Sequence, residues 1–138
     1  METGYANITK EVGSMEQRFF VCVHCGNILT KLKDSGVPVV CCGEEMQELL
    51  PGTVDAAQEK HVPVCTADSD FVQVRVGAID HPMLPEHHIE WIWLQTKEGI
   101  QCKRLSPGEA PLLRFALCPG DEFVAVYAYC NLHGLWKD

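Results

Sequence analysis

Five side chains that could bind one metal ion are spread along the C-terminal two-thirds of the chain. This histidine set consists of His61, His81, His87, Cys130 and His133. Imidazole suits iron, copper, zinc and nickel, and a single thiolate beside several imidazoles indicates a redox metal. Any one of these histidines alone would be read as an ordinary surface or core residue. The cysteine three residues before the last histidine adds a thiolate to the possible donors, which would suit a redox metal if these side chains meet at one site.

A second group of donors lies near the N-terminus. This four-cysteine set consists of Cys22, Cys25, Cys41 and Cys42. A Cys-x-x-Cys turn presents two thiolates to one ion, and a second pair completes a tetrahedral sulfur site for zinc or iron. Adjacent side chains on a strand point to opposite faces, so the pair at 41–42 needs a local twist, which Gly43 would allow. The pattern indicates a distorted four-sulfur site, with disulfide pairing as the alternative.

Composition limits the classes of protein to which the chain can belong. A chain of 138 residues can hold one ordinary domain, or one of about ninety residues with a small satellite. No signal peptide or membrane-length segment is visible, which predicts a cytoplasmic, reducing location where clustered cysteines bind metal more often than they pair. The net charge of −8 argues against nucleic acid as a partner. The three other cysteines are expected to be ordinary thiols: Cys65, Cys102 and Cys118.

Short strands must position both donor sets. Val72, Val74 and Val76 alternate with Gln73 and Arg75, as in a half-buried strand, and no stretch of ten residues shows helical periodicity. Turn residues between such runs favour an all-β sandwich or barrel. Three strands are predicted around the four-cysteine set, at 19–23, 28–32 and 37–41. After a boundary at Pro51-Gly52, further strands are predicted at 62–65, 71–76, 89–96, 100–105, 112–117 and 123–129.

Several motifs together resemble a known family. The segments 20–27 (FVCVHCGN) and 41–46 (CCGEEM) resemble the desulforedoxin-like domain of desulfoferrodoxins, and 53–63 (TVDAAQEKHVP) resembles the start of their superoxide reductase domain. His-Pro-Met at 81–83, 105–108 and 130–136 (CNLHGLW) continue the match, which covers roughly residues 18 to 137 in order. It implies a flexible extension at 1–17, a desulforedoxin-like four-cysteine iron domain at 18–51 and an immunoglobulin-like superoxide reductase domain at 52–138.

The resemblance also implies an activity: one-electron reduction of superoxide to hydrogen peroxide, without oxygen production, at a non-haem ferrous site with four histidines and one cysteine. The imidazoles would be equatorial and the Cys130 sulfur axial, leaving one position open. Lys60 would attract and polarise superoxide, and Glu59 would then bind the ferric ion and help to displace the product. For both, the alternative is a solvated charge pair. Iron is expected in both sites, with zinc or another metal possible in recombinant protein.

The implied partners are a rubredoxin-like electron donor and a second copy of the chain, bound at least partly through residues 18–50. The four-cysteine site would hold or relay an electron for the other site. His24 and His88 are expected not to be ligands, and Met83 and Trp136 to pack around the site. Two rivals remain open: a non-catalytic iron or zinc protein of the same fold, and an electron carrier that uses only the four-sulfur site.

Overall fold

One strand of alternating valines shows how the sequence builds the larger part of the molecule. In the computed structural model, which describes residues 17–138, Val72, Val74 and Val76 are fully buried. Arg75 between them is exposed, so the predicted alternation is confirmed. The predicted extension at residues 1–17 lies outside the described residues except for Gln17.

The described chain divides between residues 50 and 51 into two compact units. The smaller, N-terminal unit contains five short strands: β1 (Phe19–Val21), β2 (Ile28–Thr30), β3 (Val40–Cys41), β4 (Glu44–Glu45) and β5 (Gln47–Leu49). They form an antiparallel sheet in the order β2-β1-β5 and a separate β3-β4 hairpin. The division falls beside the boundary expected at 51–52, and the status of the two units as separate domains stays a prediction.

The larger unit begins with one short helix and continues with seven strands. They are α1 (Gln58–His61), β6 (Pro63–Ala67), β7 (Phe71–Val76), β8 (Ile89–Thr96), β9 (Ile100–Arg104), β10 (Leu112–Ala116), β11 (Phe123–Cys130) and β12 (Gly134–Lys137). One antiparallel sheet has the order β10-β7-β6, and the other has the order β12-β11-β8-β9. Strand β11 also lies against β6 and β7, which brings the two sheets together.

The core of this unit lies between the two sheets. Ile92, Leu94, Phe115 and Val126 are fully buried there, together with the valines of β7. Full burial of each such side chain contributes on the order of 1.5–3 kcal/mol of transfer free energy to folding. The predicted all-β fold, with an immunoglobulin-like sandwich after a small cysteine-rich unit, is confirmed.

The strands differ from the predicted bounds mainly in the N-terminal unit. Strand β1 ends at Val21 because the Cys22 amide donates a hydrogen bond to the Asn27 carbonyl and closes a turn. Strand β3 begins only at Val40, since Pro38 has no amide to donate to a ladder. No helix in residues 17–138 is long and apolar enough to cross a membrane.

Candidate metal centres

The four-cysteine set is brought together by two turns of the N-terminal unit. Cys22 and Cys25 lie in the turn after β1, while Cys41 ends β3 and Cys42 opens the turn to β4. All four sulfur atoms lie within 4.8 Å of one another, and the Cys25 and Cys41 sulfurs are 3.7 Å apart. A tetrahedron with metal–sulfur bonds of about 2.3 Å has sulfur–sulfur edges of about 3.8 Å, so the donor set fits one zinc or iron ion.

The backbone at Cys42 provides the twist that two adjacent ligands require. Cys42 has φ 52°, a left-handed conformation that few residues with a side chain adopt, and Gly43 follows with φ 76°. This turn lets the sulfurs of Cys41 and Cys42 point to the same place instead of to opposite faces of a strand. Asn27 Nδ2 also donates to the Cys41 sulfur over 3.7 Å.

Hydrogen bonds within the four-cysteine set give its thiols different pKa values. The Cys25 backbone amide, which donates to the Cys22 sulfur, lowers the pKa of the Cys22 thiol to about 6. The hydrogen bond with the Cys25 side chain is the largest cause that raises the pKa of Cys42, to about 12. One thiolate therefore forms readily, and a bound cation would offset the mutual repulsion of the others.

The histidine set converges from four separate places in the larger unit. His61 ends α1, and His81 and His87 lie in the loop between β7 and β8. Cys130 is the last residue of β11, and His133 lies in the turn that leads to β12. Nitrogens of His61, His81 and His87 and the Cys130 sulfur all lie within 4.8 Å of one another.

The four imidazole rings form a closed cycle. Successive ring centroids are 4.6 Å apart for His61–His81, 4.7 Å for His81–His87, 5.0 Å for His87–His133 and 4.9 Å for His133–His61. His61 Nε2 lies 3.0 Å from His81 Nε2 and 3.1 Å from His133 Nδ1. Four nitrogens in a square, each about 2.1 Å from a metal ion, would be about 3.0 Å from their neighbours.

The hydrogen bonds of two rings leave lone pairs directed at the same point. His61 Nδ1 donates to the Ala57 carbonyl and His81 Nδ1 to the Pro82 carbonyl, each over 2.7 Å. A carbonyl only accepts, so Nδ1 carries the proton and Nε2 of each neutral ring carries a lone pair. Two lone pairs 3.0 Å apart repel unless a cation lies between them. His87 Nε2 is likewise buried without a hydrogen-bond partner among the described residues. The donor set therefore fits a metal ion.

Burial keeps these rings in the neutral form that metals bind. It lowers the pKa of His81 to about 4 and lowers the pKa values of His61 and His87. The nearby Lys60 ammonium contributes to lowering the pKa values of both His61 and His87.

The Cys130 sulfur is buried beside the imidazole cycle, 3.9 Å from His133 Nδ1. Burial raises the pKa of its thiol, and the Leu132 and His133 backbone amides, which donate to the sulfur, oppose that rise. Trp136 stacks on the His61 ring at 4.9 Å and donates from Nε1 to the His133 carbonyl over 3.0 Å. Trp136 thus packs around the site, as expected, and Met83 packs against the core.

The segment that carries Glu59, Lys60 and His61 rests on the backbone of Gly77. The side chains of Glu59 and Lys60 are exposed, and the Glu59 carbonyl accepts a hydrogen bond from the Ile79 amide over 2.9 Å. A Cβ atom at Gly77 would lie 2.7 Å from the Glu59 oxygen and 2.9 Å from the Val62 oxygen. Only glycine allows this approach. Gly77 was not predicted to support the site, since a single glycine after a strand carries no distinctive signal.

Cysteines and histidines expected not to be ligands lie outside both donor sets. His24 pairs with Glu44 over 3.3 Å, and His88 Nδ1 lies 3.0 Å from the Leu84 carbonyl. The remaining cysteines are also outside both donor sets found in the described part of the chain: Cys65, Cys102 and Cys118.

Comparisons with known proteins agree with these two centres. The sequence profile of the desulfoferrodoxin family matches residues 53–138. A desulfoferrodoxin from Nitratidesulfovibrio vulgaris is 44% identical over 123 residues, which cover 88% of this chain and 95% of that relative. This chain belongs to the desulfoferrodoxin family. A second desulfoferrodoxin, from Syntrophotalea carbinolica, is 44% identical over 118 residues. These residues make up 86% of this chain and 92% of that relative.

A solved structure extends the similarity over both units of this desulfoferrodoxin-family chain. The superoxide reductase from Treponema pallidum superposes with a TM-score of 0.76 at 40% identity, covering 90% of this chain and 99% of that one. The two donor sets fit the two iron centres that the resemblance implied, so the predicted cofactors are confirmed at the level of the donor sets.

Proposed function

We propose that this chain is a superoxide reductase, an enzyme that reduces superoxide to hydrogen peroxide. The observation that carries the proposal is that three imidazole nitrogens and the Cys130 sulfur lie within 4.8 Å of one another, with His133 Nδ1 3.1 Å from His61 Nε2, in a member of the desulfoferrodoxin family. The metal ligands would be His61, His81, His87, Cys130 and His133, and a second iron would be held by Cys22, Cys25, Cys41 and Cys42.

The reaction adds one electron and two protons to superoxide and yields one hydrogen peroxide. Ferrous iron in the histidine set would supply that electron, and an external reductant would return it. The neutral imidazoles contribute no charge, so the Cys130 thiolate is the anionic donor of the set. With a metal bound, this thiolate would push electron density toward it, the effect that thiolate ligands have in haem enzymes. Backbone amides directed at its sulfur help to stabilise its negative charge.

Lys60 and Glu59 are the proposed catalytic side chains outside the ligand set. Lys60 directly precedes His61 on α1 and has an exposed side chain, so we place its ammonium near the point where superoxide would arrive. A local positive charge is required because the protein carries a net charge of −8 and would otherwise repel an anion. Glu59, the preceding residue on α1, is proposed to bind the oxidised metal and to favour release of the product.

The domain boundary and the electron donor are also proposals. We assign residues 18–51 to a desulforedoxin-like domain and 52–138 to a superoxide reductase domain, because each unit has its own strands and its own donor set. A rubredoxin-like protein, which the resemblance implied, would supply the electron. The proposed location is the cytoplasm, where a reducing environment keeps both sets of thiols free.

Metal content gives the first test. Protein produced in cells supplied with iron should contain two iron ions per chain, because the two donor sets are separate and share no residue. Metal analysis, combined with titration of free thiols, measures this directly. One metal per chain with all four thiols of the N-terminal set free would contradict the proposal. Zinc found in that set would show that overexpression had replaced iron with zinc there, since four thiolates also bind zinc well.

The product distinguishes an enzyme from a metal store or an electron carrier. Reduced protein mixed with superoxide should yield one hydrogen peroxide per superoxide consumed and no oxygen, because every electron comes from the protein. A dismutase would instead release oxygen. A protein that keeps both irons but does not react with superoxide would be the non-catalytic alternative.

We also predict a homodimer, because the N-terminal unit is too small to bury all its apolar side chains. Leu32 is 91% exposed and Val37 is 67% exposed, whereas few residues of this unit are buried. Light scattering at micromolar concentration should give twice the mass of one chain. Leu32→Asp and Val37→Asp should weaken the dimer at least tenfold, and Ile100→Asp, at an exposed position of the larger unit, should not. A monomeric parent protein would contradict the prediction.

A further inference from the structure

The ring of His87 is held differently from those of its neighbours. His61 and His81 are each oriented by a hydrogen bond from Nδ1 to a backbone carbonyl. Such a bond usually fixes the tautomer and direction of a metal-binding histidine. His87 makes no comparable bond within the described part of the chain, and its buried Nε2 lacks a partner. The position of this ring therefore depends on the loop that carries it.

The Asn131 side chain is hydrogen-bonded to that loop on both sides of His87. Asn131 Nδ2 donates to the Glu86 carbonyl over 3.0 Å, and its Oδ1 accepts from the His88 amide over 2.9 Å. The Asn131 backbone amide also donates to the His88 carbonyl over 3.2 Å. The residue before His87 and the residue after it are thus bound to the same side chain.

The place of Asn131 in the fold explains why this bridge is needed. The β11–β8 ladder ends with the pair Cys130–Ile89, after an irregularity at Tyr129–Cys130. Asn131 is the next residue, so its side chain continues the link between the two segments where the ladder stops. Because Cys130 directly precedes it, Asn131 connects the backbone of the thiolate ligand to the loop of the His87 ligand.

The chemistry of the bridge requires a primary amide. The Glu86 carbonyl needs a hydrogen-bond donor and the His88 amide needs an acceptor. A side-chain amide offers both on one short, planar group. Aspartate would keep the acceptor for His88 and lose the donor to Glu86. Alanine would lose both.

We propose that Asn131 is a positioning residue that sets the place of the His87 imidazole relative to the Cys130 sulfur. This inference rests on the proposed metal centre, and it predicts a change in metal binding that can be measured without any superoxide. Asn131 touches neither the metal nor the substrate and acts through the two ligands that it connects.

The test compares Asn131→Ala and Asn131→Asp with the parent and with Gln101→Ala. Gln101 is a matched control because its side-chain amide also donates to a backbone carbonyl, that of Ala116 over 2.7 Å, on strand β9. Competition with a chelator measures the ferrous affinity of the histidine set. Loss of a partner that orients a ligand typically lowers metal affinity by about 10- to 100-fold, and we expect this range for Asn131→Ala.

A spectroscopic readout separates positioning from a general loss of stability. In the ferric form, the electron paramagnetic resonance signal of the histidine set and its thiolate absorption should shift in Asn131→Ala and less in Asn131→Asp. The absorption of the four-cysteine centre in the same molecules should stay unchanged and serves as an internal reference. If Asn131→Ala fails to fold, Asn131→Asp alone carries the test with the same readouts.

Two outcomes overturn the inference. Asn131 variants with the parent's iron affinity and spectra would show that the bridge does not position His87. A loss no greater than that of Gln101→Ala would show a merely structural hydrogen bond. If instead the parent protein itself bound no iron in the histidine set, the proposed function would fail first, and the two failures are therefore distinguishable.

Discussion

Replacing Cys130 with serine should remove the thiolate absorption of the histidine-set iron and slow superoxide reduction by on the order of a hundredfold or more. The buried Cys130 sulfur is the proposed anionic donor of this set, and serine would present a neutral, harder oxygen in its place. A hundredfold loss corresponds to about 3 kcal/mol of transition-state stabilisation. Visible absorption of the ferric protein and pulse radiolysis of the reduced protein measure the two effects.

Cys22→Ser is the matched variant, because it makes the same atomic change in the other donor set. It should disturb the absorption of the four-cysteine centre and leave the single-turnover reduction of superoxide largely intact, since the larger unit has its own strands and ligands. Equal loss of single-turnover reactivity in both variants would show that the two centres do not work independently. An unchanged thiolate absorption in Cys130→Ser would remove Cys130 from the ligand set.

Replacing Lys60 with alanine should slow the bimolecular reaction with superoxide by about tenfold. A unit charge roughly 6 Å from the anion, at an effective dielectric constant of about 20, sets a ceiling of about a hundredfold. Lys60 is exposed, so solvent and salt reduce that ceiling. The rate of the parent should fall with ionic strength more steeply than the rate of Lys60→Ala, because only the parent carries this attractive charge.

Two further substitutions separate the charge of Lys60 from its shape and from its neighbour. Lys60→Arg should retain much of the rate, since charge matters more than shape for so small an anion. Glu59→Ala should leave the encounter rate unchanged or slightly higher, because it removes a negative charge and Glu59 is proposed to act after the electron has moved. Pulse radiolysis over a range of ionic strengths tests all three variants. If Lys60→Ala had the same rate and the same salt dependence as the parent, Lys60 would be a solvated surface charge with no role in attracting superoxide.

The longer strands were predicted with nearly correct bounds, whereas the short strands β1, β2 and β3 were predicted too long and other short elements were missed. Strands β7 and β8 have the predicted bounds, since their apolar patterns run over six and eight residues. Helix α1 has four residues, too few to show a helical period. Strand β12 was also missed, because its four residues carry no alternation of their own and pair with β11 through a tight turn at His133.

The roles of two residues became visible only through contacts between distant segments. Asn131 was part of a motif, but its partners Glu86 and His88 lie more than forty positions away in the chain. The backbone of Gly77 packs closely against the backbone of α1, and no pattern of side chains in the sequence predicts this contact. Residue types alone do not indicate either contact.

The sequence by itself determined which chemistry this protein can perform. Thiolate and imidazole have intrinsic metal preferences, and the resemblance to desulfoferrodoxins grouped the nine donors into two predicted metal centres. Only the tertiary structure decided which atom of each ligand faces the centre. His133 presents Nδ1 where His61 and His81 present Nε2, and His61 meets a partner 72 positions away. That choice depends on hydrogen bonds and burial created by folding, which no single segment of the chain contains.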